Sequence, residues 1–427
     1  MSSPQSAPDR LRVAWLVYRG NPHCGGQGVY TRHVAREVAA LGHHVEVLSG
    51  QPYPELDDPA QLVEVPGLDL YRQPDPFRIP KPSEFRDTID MREFALMCTA
   101  GFPEPWAFSE RVRRLLKDRR ADFDVVHDNQ CLGTGILRMM DDGWPVTATI
   151  HHPITVDREL DLAHATTLRR KISMRRWYGF LGMQMKVARR VPRIVTVSEN
   201  SRRDIAAQMG VPIERMTVVP IGVDPAAFRP MPEVARVPGR LMTTASADVP
   251  MKGLSDLLEA LAKVRVERPD AHLVVIGRLK DGSAVPAQLE RLGLEGAVQF
   301  VSGVAEERIV DLYAEAQIAV VPSLYEGFSL PAIEAMACGV PVVATTGGAL
   351  PEVVGPDGES ARTVTPADPS ALTAAILDLL NDDEQRNRIA ASGRQRVLDR
   401  FTWRAHAEGL VESWRQLLEE RRADAHR

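Results

Sequence analysis

Ile318-Ala319-Val320-Val321-Pro322-Ser323-Leu324-Tyr325-Glu326-Gly327-Phe328-Ser329-Leu330-Pro331-Ala332-Ile333-Glu334-Ala335-Met336-Ala337-Cys338-Gly339 is the stretch from which the fold can be worked outward. A short apolar, β-branched run gives way to a polar turn and then to apolar residues at helical spacing, which reads as strand, loop, helix. Ser329 suits a helix cap, Pro331 the first helical turn and Gly339 the termination. The free backbone N–H groups then lie around Phe328 to Ala332, where the helix dipole favours an anion such as phosphate. Glu326 falls in the loop and Glu334 about one turn into the helix. Either acid alone is an ordinary surface carboxylate. Together with the capped helix end and the Gly347-Gly348 pair farther on, they form a set able to accept hydrogen bonds from ribose or hexose hydroxyls beside a phosphate.

Working outward, the same rhythm recurs on both sides. Val13–Val17, Val45–Leu48, Val125–His127, Val146–Ile150 and Ile194–Val197 form one series of short apolar runs between amphipathic stretches. Leu273–Ile276, Val298–Val301, Ile318–Val321 and Val342–Ala344 form a second. Alternation of this kind predicts parallel sheets wrapped by helices, hence two tandem Rossmann-like α/β domains with a cleft between them. Closely spaced Pro and Gly from Val219 to Pro225 and from Phe228 to Pro238 interrupt both periodicities and place a boundary near Gly222. The expected organisation is 1–222, 223–400 and a helical tail, 401–427, that packs back on the first domain.

The chain has 427 residues, too many for one ordinary core and about right for two domains. Lys and Arg number 52 against 57 Asp and Glu, a net charge of -5 that argues against a general nucleic-acid binder. Met1 to Arg10 carries no signal-peptide pattern, and every apolar run falls far short of a bilayer span. Cys24, Cys98, Cys131 and Cys338 follow neither zinc nor redox spacing. A cytoplasmic protein is the expectation.

Open α/β sheets bind ligands beyond the carboxyl ends of their strands. In the first domain that rule selects Gly25-Gly26-Gln27-Gly28, which opens a helix over Val29–Leu41 and lets backbone approach a ligand closely. It is not a dinucleotide fingerprint, because Gly-x-Gly-x-x-Gly fails at Thr31 and no acid ends the next strand. The same rule selects His151, His152, His127 and Asn129 at strand ends. Asp122-Phe123-Asp124 spells a metal-binding Asp-x-Asp, but it precedes a strand and reads as a strand entrance. From Ala163 to Ser198 nine basic residues and no acid accompany an apolar stripe (Met174, Trp177, Tyr178, Leu181, Met185, Ala188). Residues 169–193 therefore suit either a peripheral contact with an anionic membrane face or an ordinary packed helix with a basic side.

These residues give the chain a resemblance to glycosyltransferase family 4, and within it to the phosphatidylinositol mannosyltransferase-like group. The Glu326 to Glu334 motif, the Gly25–Gly28 loop, Val125-Val126-His127-Asp128-Asn129, Thr149-Ile150-His151, Val197-Ser198-Glu199-Asn200-Ser201 and Pro220-Ile221-Gly222-Val223-Asp224 all carry it. The resemblance implies a GT-B fold and retaining, metal-independent transfer of a hexose from a nucleoside diphosphate sugar to a hydroxyl acceptor, a lipid or small metabolite. It implies no cofactor beyond that donor. Glu334 would hold the ribose, Glu326 the transferred sugar, and Gly327, Phe328, Ser329 and Leu330 the sugar hydroxyls and phosphate. His151 would bond the transferred sugar, making His151, Lys252 and Glu326 the catalytic set. Gly26 and Arg278 join the donor site, and Gly25, His127, Asn129 and His152 the acceptor side. Family members carry an Arg and a Lys on the diphosphate; Lys252 is present, but Ser246 occupies the Arg position, with Arg278 as a substitute. The rival readings are a catalytically silent sugar-nucleotide-binding protein and a GT-B epimerase or phosphorylase.

Overall fold

The computed structural model describes residues 9–22, 26–72, 74–165, 167–245, 249–279 and 282–425. Cys24, Gly25 and Ser246 lie outside the described residues.

Thirteen strands among these form two sheets. The first holds β1 (Arg12–Val17), β2 (His44–Ser49), β3 (Gln61–Glu64), β4 (Val125–Asn129), β5 (Val146–Ile150), β6 (Arg193–Thr196) and β7 (Met216–Val218), in the order β3-β2-β1-β4-β5-β6-β7. The second holds β8 (Arg240–Thr244), β9 (His272–Ile276), β10 (Val298–Val301), β11 (Ile318–Val321), β12 (Val342–Thr345) and β13 (Arg362–Val364), in the order β10-β9-β8-β11-β12-β13. Every pairing is parallel. Two parallel-sheet, Rossmann-like units are thus present, as the alternating pattern predicts.

The nine expected strands form within a residue or two of their expected ends. Four others were not legible. β8 is the central one of these: its large apolar residues are Leu241 and Met242, flanked by Arg240 and two threonines, so no apolar run of strand length announces it. β3 is a largely exposed edge strand, and β7 and β13 have three residues each. The expected basic amphipathic stretch is two helices, Leu168–Trp177 and Leu181–Ala188, separated by a 3-10 turn at Tyr178–Phe180.

Contact density divides the chain into one unit of residues 1–197, 202–219 and 406–427 and a second of 198–201 and 220–405. The first core gathers Leu16, Leu48, Phe123, Val126, Ile136, Val146 and Ile194 from both sheet faces. Its last segment lies in the helix Trp403–Ala425, where Trp414 is buried and donates its indole N–H to His127 Nδ1 at 3.0 Å. The second core gathers Leu241, Leu257, Leu261, Leu273, Val275, Ile318, Val343 and Ile376. Gly222 belongs to this unit, where a Cβ would meet the Trp403 backbone nitrogen at 2.1 Å. A neighbouring backbone requires that glycine.

Candidate active site

In the second sheet the strand order reverses between β8 and β11, and the loops after those two strands carry the site. Parallel sheets place ligands at such a point because the connections on its two sides leave in opposite directions. The loop after β8 ends in a 3-10 turn, Pro250–Lys252, followed by Gly253 at φ +66°. A Cβ on Gly253 would sit 1.9 Å from the Pro322 carbonyl oxygen, so the two loops are in backbone contact. Leu324 N–H donates to the Met251 carbonyl at 2.8 Å and closes the junction. Lys252 Nζ consequently lies 2.8 Å from Glu326 Oε1.

Glu326 is 8% exposed and held from several sides. Ser323 Oγ donates to its Oε1 at 2.7 Å. Its backbone carbonyl accepts from Ala349 N–H at 2.8 Å, beside Gly348 at φ +63°, where a Cβ would lie 2.3 Å from that carbonyl oxygen. Gly327 is anchored in turn: its carbonyl accepts from Ser198 Oγ at 2.8 Å and Ser201 Oγ at 3.1 Å.

Ser329 stands at the N-cap of the helix Leu330–Ala337 but makes no side-chain cap bond; its φ is +104° and its hydroxyl is buried without a protein partner. That corrects the expected cap. The Ser329 side chain leaves the helix-end amides uncapped. Phe328 is buried and meets Phe401 edge-on. Glu334 lies in the helix as expected and accepts from Tyr313 O–H at 3.3 Å. Burial pushes its pKa up from the ordinary carboxylate range to about 7, outweighing the Tyr313 bond. Gly339 follows the helix at φ +66°. Arg278 stands exposed just beyond β9.

In the first unit, β4 and β5 bring Asn129 and His151 together, His151 Nε2 lying 2.9 Å from Asn129 Oδ1. Gln130 receives the His151 backbone N–H at 2.7 Å and donates to the His152 carbonyl at 2.8 Å. The Tyr30 ring meets His151 edge-on at 4.6 Å. Burial, then His152 and His406, lowers the His151 pKa to about 3. The ring is therefore neutral in ordinary conditions; with Asn129 Oδ1 as acceptor its proton sits on Nε2 and Nδ1 is an acceptor. His152 is turned to Asp157, at 2.9 Å. Gly26 precedes the helix Gln27–Ala40 at φ +75° with open space where a Cβ would be. Its glycine serves backbone conformation.

His127 is drawn into packing. It has no exposed surface, stacks on Trp15 at 4.3 Å, donates from Nε2 to Thr149 Oγ1 at 2.9 Å and accepts the Trp414 indole at Nδ1. Both ring nitrogens are used, which removes the ring from the acceptor side.

Comparison with known proteins fits this geometry. Residues 24–227 match the family model Glycosyltransferase Family 4, and residues 234–396 match Glycosyl transferases group 1. An MMP alpha-(1->4)-mannosyltransferase of Mycolicibacterium hassiacum is 52% identical over 94% of this chain and 97% of its own. The chain is a family 4 glycosyltransferase. A D-inositol 3-phosphate glycosyltransferase of Thermobispora bispora is 30% identical over 94% of this glycosyltransferase and 92% of its own length. Among solved structures, sucrose-phosphate synthase from Thermosynechococcus elongatus superposes with a TM-score of 0.75 at 21% identity, covering 96% of this chain and 100% of that one. That likeness carries the GT-B fold.

Two residues of this glycosyltransferase that hold the site had no role assigned from sequence. Ser198 and Ser201 lie in a quoted motif, and their Ser-x-x-Ser spacing at a helix start was the available signal; their partner, Gly327, is remote in sequence. Asp124 accepts from Arg12 N–H and its guanidinium at the entrance of β4, as expected of a strand entrance. Among the described residues no group of three His, Cys, Asp or Glu side chains is placed to hold a metal ion, and no helix is long and apolar enough to cross a membrane.

Proposed function

We propose that this glycosyltransferase is a retaining mannosyltransferase that builds an α-(1→4) linkage from a nucleoside diphosphate mannose, without a metal. The observation carrying the reading is the 52% identity, spread over nearly the whole of both chains, to a protein named for that linkage.

The second unit supplies donor chemistry in this reading. Glu334 accepts the ribose hydroxyls. Glu326, pinned by Ser323 and Gly348, bonds the transferred mannose and keeps the Lys252 ammonium beside it. The diphosphate lies against Lys252 and the amides before Leu330. As the bond from C1 to the phosphate oxygen breaks, its electron pair leaves with the nucleoside diphosphate, and these fixed charges and dipoles stabilise it without reorganising. The acceptor oxygen forms the new bond to C1 on the same face and gives its proton to the departing phosphate oxygen. His151, neutral and positioned by Asn129, bonds the sugar. With Ser246 where the family resemblance implies an Arg, Lys252 and the helix end take a larger share of the leaving-group charge, with Arg278 as a further cation.

The test is a panel of GDP- and UDP-sugars with mannoside acceptors, read by nucleotide release and by NMR of the product anomer. Transfer of mannose with retention is expected, and Lys252→Ala and Glu326→Ala should each lower kcat by roughly 10²–10³. Donor binding without turnover would favour a silent binding protein, and an inverted product would remove the retaining mechanism.

A second reading concerns location. The helix Leu168–Trp177 has no buried residue, and Leu168 and Ile172 are 73% and 54% exposed among Arg169, Lys171, Arg175 and Arg176. We propose peripheral contact with an anionic membrane face through 169–193. Flotation with anionic liposomes at low salt tests it; an absence of lipid-dependent binding would end it.

A further inference from the structure

The helix Trp403–Ala425 reaches His151 by a route that the transfer chemistry leaves unused. His406 opens the part of that helix that belongs to the first unit. It is buried, and its Nε2 lies 2.7 Å from the Tyr30 hydroxyl. Tyr30 is buried too, on the helix Gln27–Ala40, and its ring is the one that meets His151 edge-on.

The hydrogen bonds around Tyr30 run in one direction. Trp414 donates to His127 Nδ1, and His127 Nε2 donates to Thr149 Oγ1. The Thr149 hydroxyl, its oxygen already used as an acceptor, donates to the Tyr30 oxygen. Burial pushes the Tyr30 phenol far above its ordinary pKa, so it keeps its proton and gives it to His406 Nε2. Both ends of the series lie on the same helix, and all five side chains are buried. Trp15 packs along it, stacked on His127 at 4.3 Å and tilted against Tyr30 at 5.9 Å. A satisfied buried network of this kind makes rigid the groups it joins. Tyr30 is thereby fixed at its hydroxyl and at its ring face.

His151 has use for a rigid neighbour. Its bond from Nε2 to Asn129 Oδ1 fixes one atom of the ring and leaves the imidazole able to turn about the line from Cβ to Nε2. Nδ1 lies off that line, so a turn would swing away the acceptor that faces the sugar. The Tyr30 ring, perpendicular to the imidazole with centroids 4.6 Å apart, blocks the turn because rings at this separation are in van der Waals contact.

We infer that Tyr30 is a positioning residue for His151, and that the C-terminal helix holds Tyr30 in place through His406. The inference rests on the reading of His151 as a partner of the transferred sugar, and deepens it by naming what sets the ring.

The experiment uses the full chain with GDP- and UDP-sugar donors and mannoside acceptors. Tyr30→Phe keeps the ring and deletes the hydroxyl, His406→Ala deletes the same bond from the other side, and Tyr30→Leu deletes the ring. The first two should lower kcat about tenfold and the third about a hundredfold, the scale of misplacing a contact by roughly 1 Å. Donor KM should stay at the native value. In a His151→Ala background Tyr30→Phe should cost less than about twofold, since residues that act through one another are not additive. The same tenfold loss in both backgrounds, or native kcat with a lowered melting temperature, would show a structural role; either overturns the positioning and leaves the mannosyltransferase reading standing. Native kcat in His151→Ala would overturn the positioning together with the sugar contact of His151. Nitrogen-15 spectra of the histidine-labelled chain read the ring without turnover. His151, assigned by its loss in His151→Ala, should give one Nε2–H tautomer in the native chain and a broadened or mixed signal in Tyr30→Leu; an unchanged signal there would overturn the proposal. If the native chain transfers mannose from no donor, the mannosyltransferase reading falls, and the His151 spectra still decide whether Tyr30 sets the ring.

Discussion

In the proposed donor site, Glu334 is the group expected to make donor binding sensitive to pH. Its carboxyl is pushed up to about 7 by burial, whereas His151 is held down at about 3 and does not titrate in the working range. An ionised carboxylate accepts from two ribose hydroxyls; the protonated acid surrenders one of those acceptors. Donor KM is therefore expected to rise as pH falls from 8 to 6, by up to roughly tenfold per unit once below 7. Steady-state kinetics across that range should find the dependence, and Glu334→Gln should flatten it at the weaker level. Stability of the unliganded chain runs the other way. Glu334, Asp128 at about 7 and Glu104 at about 8 are all raised chiefly by burial. Their contribution is complete below the ordinary carboxylate range and is lost as pH rises through 7 to 8. Calorimetry should give a lower unfolding temperature at pH 8.5 than at pH 6.

At the scale of elements, the loops after β8 and β11 behave as one object because Gly253 allows their backbones to touch. Gly253→Ala adds a Cβ 1.9 Å from the Pro322 oxygen and demands a φ of +66° from alanine. The left-handed conformation alone costs about 1–2 kcal/mol, and the clash obliges the Lys252 turn to move. We expect Gly253→Ala to lower kcat about as far as Lys252→Ala, although the lysine is still present. Kinetics beside a circular-dichroism melt would check it; wild-type kcat would show that the contact does not position Lys252. The Ser198/Ser201 pair acts similarly on the other loop through the Gly327 carbonyl. The Ser-x-x-Ser spacing signals a helix start, but its partner Gly327 is remote in sequence and is not legible there.

For the molecule as a whole, the path of the chain matters as much as its motifs. The segment 406–427 belongs with the first unit, although the second unit intervenes in sequence. Trp414 there is wholly buried and gives His127 its Nδ1 partner. Trp414→Ala should destabilise the first unit by about 3–5 kcal/mol through the cavity left behind, with a further loss from the orphaned imidazole. Urea unfolding should detect the change, and a loss under 1 kcal/mol would show that the tail contributes little to that core.

Local order along the chain determined the two α/β series and the strand, loop and helix form of the Glu326 to Glu334 motif, because these elements are consecutive there and need no distant partner to be recognised. Strand β8 escaped, since its place at the centre of the sheet comes from neighbours on both sides rather than from its own side chains. Only the tertiary structure set Lys252, 74 positions from Glu326, against that carboxylate, through the adjacency of β8 and β11. Only packing separated His151, which keeps an acceptor nitrogen, from His127, whose two nitrogens are spent on Thr149 and Trp414. Periodicity records which face a residue turns to the core; which distant group meets it is a property of the sheet order.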